Sequence, residues 1–420
     1  MSDAGATKKK AWAVLAYTVA DDKGKDAALD RSAERELKAV YDAADFSQIS
    51  IAAQVDFKKA ERGVYRAVLT AAPAERDGFK DIRIDETPLW REIKKTLERS
   101  VLHVQHERSD LNAADAGVLS EFLKFGCTEC PAERYAVFFY GHAYGPMGLF
   151  YDSASAKRDA NTLRLNDLAK SIAHVTNRAD IVVFRDCFMN TLETACQLHG
   201  KADYMIATQT VAPIAGVWPW LNFMSALMPG ASSAAVAESL VMQLAHFLDV
   251  EKNRHPFADV PYSLLDLSKA DAVTKPLKAL TDALDAARAE PKRATACGRA
   301  IDASRIGAPS TPHDPGDPAL LDVLTLCSGL QALEGDPVAG PARALGEVVQ
   351  KKLVMKHYSR TGKHHGVSLY CKPTKARHLE LSFIQAGDPD GVAKDAEYYK
   401  KLALSEATGW HRIALNPLKA

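Results

Sequence analysis

Short apolar runs alternate with amphipathic stretches along the first half of the chain. Two runs, at 135–141 and 180–186, are bounded by turn residues, as is typical of strands that are buried on both faces of a sheet. The alternation predicts an α/β fold, a sandwich in which helices flank a mostly parallel central sheet. The other elements that the pattern predicts are strands at 11–18, 48–56 and 64–70, and helices at about 28–44, 111–125 and 165–175.

The pattern changes beyond Trp220, where long Ala- and Leu-rich segments predict a mainly helical region. A Pro- and Gly-rich stretch at 307–318 predicts an exposed loop within it. A late apolar run at 366–370 predicts one further strand, for which the central sheet is a candidate partner. We therefore expect two domains, 1–225 with the sheet and 226–420 with most helices and the late strand. The helices predicted in the second domain are at about 232–251, 268–290, 318–333 and 340–355.

The composition is that of an ordinary globular protein. The 420 residues are 47% hydrophobic and 25% charged, and 53 Lys and Arg residues balance 53 Asp and Glu residues. A balanced charge gives no reason to expect a nucleic-acid partner. No apolar run reaches the length of about 18 residues that spans a membrane, so a membrane is not an expected partner either.

Cysteine usage and the start of the chain bear on the expected location. The seven cysteines are odd in number and scattered, which favours reduced thiols over a disulfide framework. The segment 8–17 superficially resembles a signal peptide. We interpret it as the first strand, because its apolar run is short and lacks a small-residue cleavage site. These features predict a cytoplasmic protein.

A histidine and a cysteine come directly after the two buried strands. His142 follows the first and Cys187 the second, and residues just past such strands project into a crevice. Cys187 is predicted at a strand-to-helix junction, where the helix N-terminus and a nearby imidazole would favour the thiolate. The pair therefore suggests a nucleophile and its base. The alternative is a small buried cysteine and a histidine satisfied by the backbone of its turn.

The residues around this pair resemble the clostripain-like cysteine peptidases. The resemblance rests on 139–142 (Phe-Tyr-Gly-His) and 184–189 (Phe-Arg-Asp-Cys-Phe-Met), and it extends over nearly the whole chain. It implies a caspase–haemoglobinase fold, a catalytic domain at 1–225 and protein or peptide substrates. It also implies a His–Cys dyad that cuts peptide bonds, with His142 and Cys187 at the catalytic positions. Further similar segments occur in the same order at 12–17, 55–56, 131–135, 202–207, 366–370, 398–399 and 408–410.

One departure from the family concerns specificity. Relatives usually cut after Arg or Lys and carry an Asp two residues before the nucleophile, where this chain has Arg185. Alternation along the strand predicts that Arg185 points to the same side as Cys187, where it would repel a basic side chain and pair with a carboxylate. We therefore expect cleavage after an acidic residue, or else after a small or apolar one that packs against Trp218 or Trp220. The alternative for Arg185 is an ion pair with a distant acid and no substrate role.

A second departure concerns the oxyanion hole. The family usually has a Gly after the His, and this chain has Ala143. Because Ala also supplies an N–H, we expect the amides of Ala143 and Cys187 to form the hole.

The polar segment 153–162 resembles the loop that is cleaved during maturation of relatives. If Arg185 excludes basic residues, a cut after Lys157 or Arg158 needs another protease, and we expect a zymogen that is activated in trans.

Other motifs predict little. Cys127 and Cys130 have the spacing of a metal or redox pair, but a second ligand pair is missing. No nucleotide-binding motif or acidic calcium loop is present, and we expect neither a metal nor a cofactor. The second candidate function is a catalytically silent caspase-like scaffold that binds a protein partner.

Overall fold

The computed structural model describes residues 9–20, 28–57, 64–69, 105–107, 111–150, 162–212, 218–250, 259–306, 319–373 and 389–420. Eleven strands lie in these ranges, and nine of them form one central sheet. The strands are β1 (Lys10–Val19), β2 (Ile49–Asp56), β3 (Val64–Leu69), β4 (Gln105–Glu107), β5 (Ala132–Tyr140), β6 (Ala179–Arg185), β7 (Ala202–Thr208), β8 (Tyr262–Asp266), β9 (Leu320–Asp322), β10 (Val354–Tyr358) and β11 (Ser368–Tyr370).

Five parallel strands form the middle of the central sheet, in the spatial order β2-β1-β5-β6-β7. Antiparallel strands extend it at both edges, β3 and β4 beyond β2, and β8 and β10 beyond β7. The predicted α/β sandwich with a mostly parallel centre is confirmed. The carboxyl ends of the parallel strands share one edge of the sheet, which is where α/β proteins place ligands.

Helices cover both faces of the sheet. Because both faces are covered, the parallel strands read as continuous apolar runs rather than as alternating ones. The helices are α1 (Ala28–Ala43), α2 (Ala116–Glu129), α3 (Leu165–Ile172), α4 (Leu192–Leu198), α5 (Trp220–Ala226), α6 (Ser233–Val250), α7 (Thr274–Ala287), α8 (Pro291–Ala303), α9 (Val323–Gln331), α10 (Ala339–Val348), α11 (Pro389–Lys400), α12 (Ala403–Thr408) and α13 (His411–Ala414). Shorter turns are the 3-10 helices Gly145–Met147 and Leu267–Val273 and the π-helix Val349–Leu353. None of the helices in the described ranges has the length and apolar character needed to cross a bilayer.

Two hydrophobic cores lie on opposite faces of the sheet. The small core contains Trp12 and Val14 of β1, packed with α1, α5 and α6. The large core contains Leu15 and Tyr17 of the same strand, packed with α2, α3, α4 and the later helices. Successive side chains of β1 therefore enter different cores, as the two-residue period of a strand requires.

The division of the chain at residue 225 is not a division of the sheet. β8 and β10 come from beyond that point, yet both belong to the central sheet. The helical segment predicted at about 340–355 is confirmed over most of its length, because α10 and the π-helix together run from Ala339 to Leu353 before the chain enters β10.

The late strand also has a different partner from the candidate. The predicted run 366–370 contains β11, which pairs with β9 in a separate two-stranded sheet rather than with the central one. Its Ser368 amide additionally donates to the Asn190 carbonyl at 2.9 Å, close after Cys187 in the chain. The late strand thus lies against the segment that carries the candidate nucleophile.

The C-terminal segment packs closely on the helical region. Gly298 of α8 faces the backbone of Lys419, and a Cβ on Gly298 would lie 2.5 Å from the Lys419 carbonyl oxygen. Gly340 of α10 has no heavy atom within 4 Å of the equivalent Cβ position. A substitution at Gly298 therefore tests a buried contact, and the same substitution at Gly340 is the matched control that lacks such a contact.

We expect Gly298→Ala to lower the free energy of unfolding by about 1–3 kcal/mol, because the added methyl overlaps the backbone of Lys419, which must shift to make room. Gly340→Ala is expected to be neutral or to stabilise by up to about 1 kcal/mol, since alanine favours helix. Urea unfolding of both variants measures the difference. Equal effects in the two variants would contradict the packing of the C-terminal segment on α8.

Candidate active site

The strand ends that carry the candidate dyad lie side by side. β5 and β6 are parallel neighbours, and Tyr140 at the end of β5 pairs with Arg185 at the end of β6. His142 and Cys187 each follow these paired residues by two positions, and both are partly exposed. Because neighbouring strands lie about 4.8 Å apart, this register brings the two backbones to the same point on the carboxyl edge of the sheet.

The turn after β6 is fixed against the segment after β7. The amide of Phe188 donates to the Thr210 carbonyl at 2.9 Å, and the amide of Asn190 donates to the Thr208 carbonyl at 3.0 Å. Phe188 has a φ of 59°, which is a left-handed conformation that bulky residues rarely adopt. A strained and well-anchored turn of this kind is typical of a functional position.

Cys187 does not lie at a helix N-terminus. The following helix, α4, begins at Leu192 and is capped by Thr191, whose hydroxyl accepts from the Thr194 amide at 3.1 Å. The predicted strand-to-helix junction at Cys187 is therefore wrong, since the field of a helix terminus falls off within one turn.

Burial favours the protonated form of the Cys187 thiol. Although the residue is partly exposed, most of its surroundings exclude water, and this burial raises the pKa of the thiol to about 12. The Ala212 amide, which donates to Sγ at 3.4 Å, acts in the opposite direction. Burial thus opposes the predicted preference for the thiolate, and attack by the sulfur would need a base that removes its proton.

His142 lies in a turn that several backbone hydrogen bonds hold together. Its carbonyl accepts from the Phe150 amide at 2.6 Å, and the Tyr144 amide donates to the Gly148 carbonyl at 2.8 Å. Gly148 has a φ of 122°, and a Cβ there would lie 2.4 Å from the Leu163 carbonyl oxygen. Only glycine fits this position, so the turn that carries His142 is fixed.

The backbone around the pair offers two hydrogen-bond donors. Neither the Ala143 amide nor the Cys187 amide makes a backbone hydrogen bond within the described ranges. The Phe188 amide, by contrast, is already used by Thr210. Amides next to a base and a nucleophile are candidates for an oxyanion hole, and the Cys187 amide also acts on its own sulfur.

Arg185 is buried in an ion pair with Glu36 of α1, whose side chains are 3% and 7% exposed. The guanidinium carbon lies 4.6 Å from the centre of the Tyr140 ring and 5.3 Å from that of Trp218. Burial lowers the pKa of Arg185 to about 9. The arrangement corresponds to the ion-pair alternative, in which a carboxylate of the chain itself partners Arg185.

The predicted shared orientation of Arg185 and Cys187 is wrong. Arg185 contacts Tyr140 and Trp218 of the small core, whereas Cys187 packs against the large core. The strand ends at Arg185, so the two-residue alternation does not extend to Cys187.

Trp218 and Trp220 belong to the same cluster as Arg185. The Trp218 amide donates to Oε1 of Glu36 at 3.1 Å, and the indole N–H of Trp220 donates to Oε2. Both indole side chains are buried. The three predicted specificity residues therefore converge on one carboxylate that the sequence analysis did not identify.

A spacing in the sequence could have pointed to Glu36. Glu36 has the helical spacing of Leu29, Ala33 and Val40, which are buried on one face of α1. A glutamate at a core-facing helical position is rarely buried unless it is paired, so it signals a buried cation nearby.

Buried polar side chains link the nucleophile turn to the late strand. Asn190 donates to the Gly366 carbonyl at 2.6 Å. Gln209 accepts from the Gly366 amide at 2.9 Å and donates to Asp322 at 3.1 Å. These groups were also missed, although amide side chains that are buried without charge are typical of such networks.

The remaining sequence candidates do not join the site. Lys157 and Arg158, with the rest of 153–161, lie outside the described residues. Cys127 accepts a hydrogen bond from the Thr176 amide at 3.4 Å. Among the side chains in the described ranges, no group of three His, Cys, Asp or Glu could hold a metal ion.

Comparisons with known proteins give one family and one fold. Residues 82–306, more than half of the chain, match the model of the clostripain family, peptidase C11. An X-ray structure of a secreted C11 cysteine protease from Bacteroides thetaiotaomicron, in complex with an irreversible peptide inhibitor, has a TM-score of 0.63 at 16% identity, covering 96% of this chain and 99% of that chain. An inactive zymogen C11 protease from Parabacteroides distasonis has a TM-score of 0.62 at 17% identity, with the same coverages. The comparison with curated proteins gave no match.

The predicted cytoplasmic location is wrong by the same comparison. Two similar structures from Bacteroides thetaiotaomicron are described as secreted proteases. The odd number of cysteines misled the prediction because most of the free thiols are inaccessible. Cys130, Cys297, Cys327 and Cys371 are buried, and buried thiols can stay reduced in any compartment.

The Asp186 carboxyl can be used to test whether water is excluded from the interior next to the candidate dyad. The carboxyl is fully buried, and within the described part of the chain neither oxygen makes a hydrogen bond of good geometry, although the Gly141 amide lies near enough to act as a donor that lowers the pKa of Asp186. Burial raises the pKa of Asp186 well above its usual range, and the nearby charge of Arg185 only partly opposes this. The folded state therefore prefers the protonated acid.

We expect Asp186→Asn to stabilise the protein increasingly as pH rises from about 4, the unfolded pKa of Asp, to 7. Below the unfolded pKa the acid is neutral in both states and Asn imitates it; above that pKa the wild type loses stability because ionisation favours the unfolded chain. Thermal unfolding midpoints at pH 4 and pH 7 measure the change. A lower midpoint for the variant at pH 7 would contradict the argument, because it would mean that Arg185 stabilises an ionised Asp186.

Proposed function

The chain belongs to the clostripain family of cysteine peptidases, and on that premise we propose that His142 and Cys187 form its catalytic dyad. The observation that carries the proposal is the register of β5 and β6, in which Tyr140 pairs with Arg185. A base and a thiol at equivalent positions beyond neighbouring parallel strands suit nucleophilic catalysis.

The proposed reaction begins with transfer of the Cys187 proton to His142. Because burial raises the pKa of the thiol to about 12, the proton leaves as sulfur attacks the substrate carbonyl. The C–N bond then breaks, and His142 gives the proton to the leaving amine. Water hydrolyses the resulting thioester, which releases the acid product and restores the thiol.

The Ala143 and Cys187 amides are the proposed oxyanion hole. Their support is that both amides lack a backbone acceptor in the described ranges. Donors of this kind stabilise the charge that develops on the carbonyl oxygen, and losing one typically costs about 10²–10³ in rate.

The proposed substrates are peptides or proteins cut after a residue other than Arg or Lys. Arg185 stands two residues before Cys187, where relatives usually carry an Asp, so this chain lacks the carboxylate that would pair with a basic substrate side chain. An acidic residue and a small or apolar one remain as candidates.

Activation by another protease is the proposed regulation. If the site excludes basic residues, the enzyme cannot cut its own chain after Lys157 or Arg158. A similar C11 protease is described as an inactive zymogen, which supports a precursor form for this chain as well.

We expect a thiol-reactive peptide probe to label the wild type and Cys196→Ala, but not Cys187→Ala. His142→Ala should slow labelling by about 10²–10⁴-fold, because the base no longer takes the proton. Cys196 is a matched control, since its thiol is also partly exposed at the residue level and burial raises its pKa. Labelling of Cys196, or of no cysteine in the wild type, would favour the silent scaffold and reject the dyad.

We expect limited trypsin treatment to cut the chain after Lys157 or Arg158 and to raise the peptidase activity of the wild type. The Lys157→Gln/Arg158→Gln double variant should resist both effects, because it lacks the basic residues that trypsin requires. Gel analysis and turnover of a fluorogenic peptide follow the two events. Nicking without a gain in activity, or self-cleavage at this loop that disappears in Cys187→Ala, would contradict activation in trans.

A further inference from the structure

A surface cavity of about 900 Å³ lies in the helical region of the molecule. Its walls come from α8, α9, α10, the π-helix Val349–Leu353 and the segment before β11. None of its lining residues belongs to the turns that carry His142 and Cys187. Small-molecule sites commonly occupy about 300–1,000 Å³, so the cavity is large enough for a ligand and separate from the candidate dyad.

The inner wall of the cavity is fixed by close packing of α9 and α10. A Cβ added to Gly346 of α10 would lie 3.3 Å from the Cβ of Cys327 of α9, whose side chain is buried. Gln350 and Lys351 line the cavity from the π-helix, a rare conformation that is frequently found at functional sites. A preformed cavity with such a wall is typical of a ligand site.

The cavity also presents an arginine that has no partner in the described part of the chain. The Arg343 side chain makes neither an ion pair nor a hydrogen bond there, and the Gln331 side chain makes no hydrogen bond. Lys351 and Glu347, which line the same cavity, lie 3.9 Å apart and offset each other's charge. A guanidinium offers parallel N–H donors that match the oxygens of a carboxylate or a phosphate. The cavity therefore favours a ligand with such an oxyanion group.

His365 connects the cavity to the nucleophile turn. Its side chain lines the cavity and is 45% exposed, and its Nδ1 lies 3.1 Å from the buried carboxylate of Asp322. Asp322 accepts from Gln209, which in turn accepts from the Gly366 amide. The Gly366 carbonyl accepts from Asn190 of the nucleophile turn. Because Asp322, Gln209 and Asn190 are buried, a charge in the cavity reaches this network through His365.

We propose that the cavity is a regulatory site for a small ligand with a carboxylate or phosphate group, which Arg343 binds and which lowers the reactivity of Cys187 through His365. The binding is independent of the proposed dyad, whereas the effect on Cys187 rests on it. Negative charge beside His365 competes with Asp322 for the imidazole. The ligand thereby weakens the accessible end of the network that anchors Asn190, and the turn that carries Cys187 is held less firmly.

Isothermal titration calorimetry of the full chain tests the binding, with inorganic phosphate and citrate as the two probes. We expect binding of at least one probe, and the comparison distinguishes a phosphate ligand from a carboxylate ligand. Arg343→Gln should weaken this binding by about tenfold or more, because a charge-assisted hydrogen bond is lost. Arg299→Gln is the matched control and should bind as the wild type does, since Arg299 is an exposed residue of α8 that does not line the cavity.

The rate at which the thiol-reactive peptide probe labels Cys187 tests the regulation. A saturating concentration of the bound probe ion should slow labelling of the wild type by about fivefold or more. The same concentration should leave the rate in Arg343→Gln unchanged. His365→Gln should still bind the ion, but its labelling rate should not respond, because the side chain that couples the cavity to Asp322 is no longer ionisable.

The outcomes separate this proposal from that of the dyad. Absence of Cys187 labelling without any added ion rejects the dyad and leaves calorimetry as the test of the cavity. Failure of both probes to bind, or equal binding to the wild type and Arg343→Gln, overturns the ligand site. Binding that does not change the labelling rate of the wild type overturns its regulatory role.

Discussion

The parallel hydrogen bonding between β5 and β6 is the constraint on which the rest of the site depends. Strand register is fixed wherever both faces are buried, because a slip of one residue would move every side chain to the wrong core. The pairing of Tyr140 with Arg185 therefore sets where the chains leave the sheet, and with it the positions of His142 and Cys187. The tight turn after β5 and the strained turn after β6 then hold those positions.

The buried Glu36–Arg185 ion pair lies at the end of β6, and the removal of its two charges from water lowers the stability of the fold. Taking two charges out of water is expensive, and removing one partner of such a pair commonly destabilises a protein by about 3–5 kcal/mol. Two further N–H donors and two aromatic rings surround the Glu36–Arg185 pair. These partners offset part of the desolvation cost and hold the pair within the small core.

The periodicity of apolar residues predicted the strands and helices whose formation depends on residues close together in the sequence. The strands before His142 and Cys187, and α1, follow from apolar periodicity and agree closely with the structure. The residues that the sequence could not supply come from tertiary contact: Glu36 lies 149 positions from Arg185, and Gln209 lies 157 positions from Gly366. The two-residue alternation failed at Cys187 because it holds only while the strand continues.

The most direct test of the dyad is a crystal structure of the protein with a peptide inhibitor covalently attached. The account predicts a thioether at the Cys187 sulfur, with an imidazole nitrogen of His142 and the amides of Ala143 and Cys187 each about 3 Å from the reacting groups. An adduct on another cysteine would contradict it. So would an adduct at Cys187 with the His142 ring directed away from the sulfur.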